Sequence, residues 1–421
     1  MAAIDPEPGK TRWGPLSRAL VPIAALVLFS LAMVPIANYV LRGSTKDYWK
    51  WYEAGTAVLE GGDIYRKRAD GTLQFMYPPP AAILLAPPSA GGLLCLVAVL
   101  AFANSAAWLA AVLLSVRLAT GKTLRQRPLL YVLPSLAVVI QVWETYLLGQ
   151  PNLILLALAL GAFLCLERRR YAAAGSLVAL GAAVKAFPVL ILPYLLWRRH
   201  WPAAAGTIAA LLVLLFLLPL PFRGWRQNLA DLDTWTSSML LRYDEDTIAQ
   251  RPGRSYTTRN QSLVAVANRL LRPADADESS ERVRHVNIAS FSFSEVNLAI
   301  LVVALGLGLA YVLSMPPRSR RTPAQVPMEL AMLVLLVPLA SPFAFSYFFV
   351  WLLFPFTVAL TMIHEASPPS RRLALRIWLG SAIVLFATNL TWIGQALGAS
   401  LVASLVLFAG FAWNLRRISG N

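Results

Sequence analysis

Charge is what this sequence has least of. Only 14% of its 421 residues are Asp, Glu, Lys or Arg, and 57% are hydrophobic, whereas soluble domains are typically about a quarter charged. A chain of this composition is expected in a bilayer. Cysteine is almost missing: Cys95 and Cys165 both lie inside apolar runs, where they read as small packing residues, not as a disulfide or a metal pair. The three histidines, His200, His285 and His364, are far apart and show no ligand spacing. A metal site built from Cys and His is therefore not expected, and nothing in the sequence calls for a cofactor. Acidic residues are also few, 21 against 37 basic ones, for a net charge of +16. Such an excess can signal a nucleic-acid partner. Here most basic residues form short clusters between apolar runs, where they set membrane orientation, so no nucleic acid is expected.

The apolar runs and their basic punctuation predict an all-α polytopic membrane protein with about twelve crossings. Residues 19–40 follow Lys10, Arg12 and Arg18 and are longer than a signal-peptide core, so they read as a retained first span with the N-terminus in the cytoplasm. Further spans are expected at 92–116, 129–143, 151–166, 202–220, 296–314, 326–340, 343–362, 373–391 and 396–414. Two short runs, 171–184 and 186–197, form a hairpin between basic clusters, and 81–88 is a short dip. Residues 221–295 carry ten basic and ten acidic residues, which gives no bias toward the cytoplasm and places this long segment outside. The chain is expected to form a single membrane domain of the plasma membrane, both termini cytoplasmic. No internal repeat of the kind common in transporters is visible.

The first outer loop, residues 43–80, is the most informative stretch. Tyr48, Trp51, Tyr52, Gly55, Val58 and Leu59 recur at helical spacing, with Lys46, Lys50, Glu53 and Glu60 on the other side. Gly61-Gly62 ends this amphipathic helix, which suits a membrane–water boundary. Asp47 opens it, directly after the first span. A carboxylate there is partly desolvated, in the direction that favours a general base. The alternative is that Asp47 caps the helix, because Ser44-Thr45-Lys46-Asp47 has the spacing of a capping-box variant. Asp63, beside the glycine pair, reads as a turn residue.

Other polar residues stand out against the apolar background. Gln150 and Asn152 follow Glu144 at a short outer turn and suit sugar hydroxyls; a plain turn and helix cap is the other reading. Lys185 is the one cation in the apolar hairpin, suited to a phosphate or simply snorkelling. Arg259, Asn260 and Gln261 precede an apolar helical stretch that Ser262 can cap. Ser341-Pro342 starts a span, where proline is well placed.

The ordered set Asp47, Tyr52, Ala54, Leu59, Gly61, Tyr65 and Tyr77-Pro78-Pro79, then Gly149-Gln150-Pro151-Asn152, Lys185 with Pro188, Asn260-Gln261-Ser262 and Ser341-Pro342, resembles glycosyltransferase family 87. The resemblance implies a GT-C fold and sugar transfer from a polyprenyl-phosphate donor, most often mannose, to a lipid or glycan acceptor. It implies Asp47 as catalytic base and Tyr77, Gln150, Asn152, Asn260, Gln261 and Ser341 at the substrates; Lys185 and Arg259 are the cations expected at the donor phosphate by their own chemistry, with Tyr347 as a further hydrogen-bond donor there. One departure is clear. After the Ser-Pro pair the family pattern leads to a tryptophan and two adjacent histidines, and this chain has Phe345, Tyr347 and Phe348. Tyr347 supplies a hydrogen bond but no cation near neutral pH.

Sugar transfer from a lipid phosphate needs a base for the acceptor hydroxyl, cationic or dipolar partners for the leaving phosphate, and shelter from water. A ligase moving whole glycans needs the same parts and would lean on outer arginines. A lipid-linked-sugar transporter or flippase would need mid-span charges and repeat symmetry, of which only Lys185 is present.

Overall fold

The computed structural model describes residues 15–69, 72–121, 128–249, 255–277 and 283–419. They form helices α1 (Pro15–Arg42), α2 (Tyr48–Leu59), α3 (Pro79–Ala90), α4 (Leu93–Thr120), α5 (Leu129–Ala137), α6 (Val139–Leu148), α7 (Asn152–Glu167), α8 (Tyr171–Val184) and α9 (Ile191–Trp197). There follow α10 (Trp201–Leu212), α11 (Leu220–Trp235), α12 (Leu263–Leu271), α13 (Phe293–Ser314), α14 (Val326–Ala340), α15 (Leu353–Glu365), α16 (Pro369–Thr388), α17 (Trp392–Ala396) and α18 (Ala399–Ser419). Among the described residues there is no strand, only two isolated bridges, Lys67 with Leu73 and Tyr243 with Ile248.

Five helical segments are long and apolar enough to cross a bilayer, and up to seven if two bent pairs each count as one span. The expected twelve would require the shorter apolar helices to cross as well. The longest of these, Asn152–Glu167, has 16 residues and reaches about 24 Å at 1.5 Å per residue, short of a hydrocarbon core of about 30 Å. Glycine explains one bend. The helix Trp201–Leu217 turns by 94° before Leu220–Leu240; Pro219 keeps helical angles, and the backbone leaves the helical region at Gly224 (φ 67°, ψ 170°), a conformation open to glycine at little cost. The expected span 129–143 is likewise broken, by 61° between α5 and α6, at Val138, whose backbone leaves the helical region (φ −114°, ψ 15°).

The centre of the bundle is α14, the short 3₁₀ segment Ser346–Leu352 and α15, in which nearly every side chain is buried. The first span and α13 are instead only 11% buried over their most apolar windows, and Leu298, Leu301, Val302 and Leu305 of α13 are exposed. A helix apolar all round belongs in a core or against lipid, and both cases occur here. Between α8 and α10 the backbones approach closely: a Cβ on Gly175 would meet Ala203 O at 2.5 Å, so only glycine permits this small-residue packing.

The helix expected at 48–59 is present as α2, and Glu60, Gly61 and Gly62 close it through their amides. Its aromatic face does not lie on lipid as its amphipathic pattern suggests. Tyr48, Trp51, Ala54, Gly55 and Val58 are buried and α2 packs on α3, because the loop folds back and offers its own apolar cluster of Ile64, Tyr65, Leu73 and Phe75. The segment 221–295 is not one open loop. Its first part, α11, lies over the first loop: the Arg223 guanidinium donates to Asp231 (2.8 and 3.1 Å) and to Gly62 O (2.6 Å), and Trp235 Nε1 donates to Met76 O (3.3 Å).

Candidate active site

Two ends of the bundle differ in chemistry. One gathers basic loops, with Arg117 paired to Glu167 (3.3 Å) and Arg321 to Glu329 (2.9 Å). The other carries Asp47. There α2 begins, α6 ends and α7 begins, and their junctions are locked by one aromatic ring. Tyr48 donates its hydroxyl to Tyr146 O (2.8 Å) and lays its ring under Gly149, where an added Cβ would sit 2.9 Å from two ring carbons. Gly149 also has φ +71°, a conformation available to glycine at little cost. Burial pushes the Tyr48 phenol well above its ordinary range, with Tyr146 a second cause. Because Tyr48 follows Asp47 and Gly149 precedes Gln150, this contact brings the two polar side chains together.

The Asp47 carboxylate then accepts from Gln150 Nε2 at Oδ2 (2.7 Å) and from Lys50 Nζ at Oδ1 (2.5 Å). It stands at the N-cap position of α2 but makes no side-chain capping bond, so the cap reading of this residue fails. Lys46, just before it, is held in the left-handed region (φ 48°), a strained choice for a side-chain-bearing residue. Gln150 Oε1 accepts from the Tyr77 hydroxyl (3.0 Å). Tyr77 is itself fixed by its carbonyl, which accepts from Tyr65 OH (2.8 Å), and by its ring against Trp51 at 4.3 Å.

On the far side of Tyr77 lies Lys185. Its ammonium is 5.2–5.7 Å from the ring centroids of Tyr77, Phe187, Tyr347 and Phe348, a cation–π arrangement. It also donates to Asn152 Oδ1 (3.4 Å), and Asn152 Nδ2 donates to Tyr347 O (3.5 Å). Asp47, Gln150, Tyr77, Lys185, Asn152 and Tyr347 thus form one continuous group, drawn from four regions of the chain. Two of the aromatics that stand where the family pattern has histidines, Tyr347 and Phe348, belong to the cage around Lys185.

The remaining predicted residues sit elsewhere in role. Asn260 donates to Ser255 O and Pro342 O and accepts from Ser262 N and Ala344 N, all within 3.0–3.2 Å. Gln261 Nε2 donates to Thr258 O and Gln395 O (2.6 and 2.7 Å). Both amides are buried and committed to backbone, Asn260 pinning the turn after α14 and Gln261 the junction of α17 and α18. Ser341 Oγ donates to Phe343 O (2.7 Å) within that turn. Ser262 caps α12, accepting from Ala265 N (3.1 Å). Arg259 is exposed. Asp63 accepts from Tyr65 N (2.8 Å) as a turn residue.

Three participants were not legible beforehand. Lys50 was signalled only by its i+3 spacing from Asp47. Phe187 reads as an ordinary span residue, whereas Phe348 stands where the sequence already departs from the family pattern. Arg269 is fully buried, and its guanidinium donates to the carbonyls of Tyr256, Thr257, Asn260, Gln395 and Ala396 at 2.7–3.1 Å. Burial lowers its pKa to about 9, still above neutrality, so it holds that loop as a cation.

Of two described cavities, one of about 440 Å³ lies at the basic end and one of about 20 Å³ opens beside Lys50; Asp47 lines neither. Its side chain is 29% exposed, which leaves it reachable from the surface. Among the described residues no three His, Cys, Asp or Glu side chains cluster as metal ligands.

The model of Glycosyltransferase family 87 matches residues 75–342, well over half the chain. The chain belongs to glycosyltransferase family 87. The matched residues of this family 87 chain include Tyr77, Gln150, Asn152, Lys185, Asn260, Gln261 and Ser341, while Asp47 and Tyr347 lie outside them. Among curated proteins no match is found. Membership makes the chain a membrane glycosyltransferase.

Proposed function

We propose that this protein transfers a sugar, mannose by expectation, from a polyprenyl-phosphate donor to a lipid or glycan acceptor at the extracytoplasmic face of the plasma membrane, with Asp47 as general base. The observation that carries this reading is the carboxylate of Asp47, free of any capping role, at one end of the chain of contacts that runs through Gln150 and Tyr77 to Lys185. In this reading the acceptor hydroxyl oxygen attacks the anomeric carbon while its proton passes to Asp47. The bond from that carbon to the phosphate oxygen breaks, and the departing polyprenyl phosphate keeps the electron pair beside Lys185. Attack and departure on opposite faces invert the anomeric carbon. General-base help of this kind is worth roughly 10²–10⁴ in rate.

Gln150 orients the base, Tyr77 joins Gln150 to the ammonium through its hydroxyl and its ring, and Asn152 accepts from that ammonium. Lys50 and Gln150 each hold one oxygen of Asp47, and the acceptor hydroxyl takes a remaining lone pair of the carboxylate. Tyr347 contributes its ring to the ammonium and its carbonyl to Asn152, so the missing histidine pair is replaced by aromatic support for a single lysine. No step in this scheme draws on a cofactor. The test is to incubate purified protein with radiolabelled polyprenyl-phosphate sugars and membrane glycolipids, beside Asp47→Asn. Transfer by the wild type and its loss in a normally folded variant support the reading; a variant with unchanged turnover ends it.

A further inference from the structure

The cavity of about 440 Å³ at the basic end has no part in the chemistry above. Its size is that of a small-molecule site, about 300–1,000 Å³. Phe163, Leu166, Met328 and Met362 give it an aliphatic and aromatic floor, and His200 and Arg321 line one corner. Gly121, Pro323 and Glu365 at its rim are exposed, so the space communicates with the surface.

The corner carries surplus positive charge. Glu329 is completely buried and answers two guanidiniums, Arg321 at 2.9 Å on Oε2 and Arg198 on Oε1. Arg198 is 5% exposed and Arg321 18%. Two cations against one carboxylate leave one charge uncompensated behind a poorly screened wall, where an anion gains far more than in water. The acids that also line the cavity are outside that wall: Glu167 is 47% exposed and paired with Arg117, and Glu365 lies at the exposed rim. His200 completes the corner. Its ring lies between Tyr171 and Tyr194 at 6.3 and 6.4 Å, and its imidazole hydrogen-bonds no described residue.

We propose that this cavity binds an anionic amphiphile, its phosphate held by Arg321 and His200 and its hydrocarbon laid along Phe163, Leu166 and Met328. A cationic corner joined to an apolar floor, at the end of membrane-crossing helices, matches a lipid phosphate more closely than a soluble anion, which would leave that floor wet. The site lies at the opposite end of the bundle from Asp47 and is distinct from the donor site.

The test uses the full chain stripped of lipid in detergent. Native mass spectrometry follows titration with dioleoyl phosphatidic acid, dioleoyl phosphatidylcholine or inorganic phosphate, and thermal melting is recorded in parallel. The expected result is one phosphatidic acid per chain, held at least tenfold more tightly than phosphatidylcholine and not displaced by inorganic phosphate in tenfold excess. His200→Gln should weaken it severalfold, and Ala119→Trp, which fills the cavity from α4, should remove both the adduct and the lipid-induced rise in melting temperature. Equal retention of the two lipids, displacement by inorganic phosphate, or an undiminished adduct in both folded variants would overturn the proposal.

Discussion

Replacing Gly149 by alanine tests the geometry that brings Asp47 to Gln150. Two costs add. At φ +71° a Cβ meets the following carbonyl oxygen, worth about 1–2 kcal/mol. The same Cβ would lie 2.9 Å from Cδ2 and Cε2 of Tyr48, closer than carbon atoms pack, and relieving it must move the ring or the turn, at about 1–3 kcal/mol. Together the loss is about 2–5 kcal/mol. Ring movement also strains the buried Tyr48 hydroxyl bond to Tyr146 O and separates Gln150 from the carboxylate, so turnover should fall with stability. The assay is thermal and chemical unfolding in nanodiscs, run as a double-mutant cycle with Tyr48→Ala. In that background the packing cost vanishes and only the backbone cost of about 1–2 kcal/mol remains, so a coupling of about 1–3 kcal/mol is expected. Additive losses, or a Gly149→Ala protein as stable and active as wild type, would show that the close approach does not hold the site.

Other perturbations follow from the same contacts. Lys185→Gln should raise the KM for a polyprenyl-phosphate donor much more than it changes melting, read by initial rates against donor concentration; an unchanged KM would remove Lys185 from the phosphate. Arg223→Met strands Asp231, both being 2% exposed in their ion pair, and should cost about 3–5 kcal/mol, seen as a large drop in melting temperature. Burial raises the phenols of Tyr48 and Tyr65 above their ordinary range, so the unfolded chain loses these protons first as pH climbs past about 10. Their stabilisation is complete below that pH and is lost above it, and the fall in melting temperature between about pH 10 and 11.5 should be shallower in Tyr48→Phe. Substituting Arg269 by methionine orphans five buried carbonyl contacts, each worth about 1–3 kcal/mol when left unmade, and should prevent recovery of a monodisperse protein.

How far the sequence reaches can be followed residue by residue. Sparse charge and apolar runs were enough to establish a helical membrane protein, because burying backbone polar groups in hydrocarbon leaves few alternatives to helices. The α2 helix and its stop at the glycine pair were legible from periodicity, which depends only on local spacing. The family was legible from ordered short motifs. The number of crossings was not, because hydropathy reports that a segment is apolar without saying whether it faces lipid or protein. Val326–Ala340 and Phe293–Ser314 read alike, yet one is core and the other periphery.

The candidate site divides along the same line. Composition and spacing nominated Asp47, Gln150, Tyr77, Asn152 and Lys185 one at a time, each with a bland reading beside the chemical one. Only the folded chain joins them, since Asp47 and Gln150 are 103 positions apart and Asn152 and Tyr347 are 195 apart. It equally withdraws Asn260 and Gln261 into backbone bonds and reveals Arg269 behind them. Local sequence determines which helices form and where they end. Which side chains meet depends on the close passage of Tyr48 beneath Gly149 and the kink at Gly224 in the segment that lies across the first loop, and long-range contacts of that kind leave no periodic signal in the sequence.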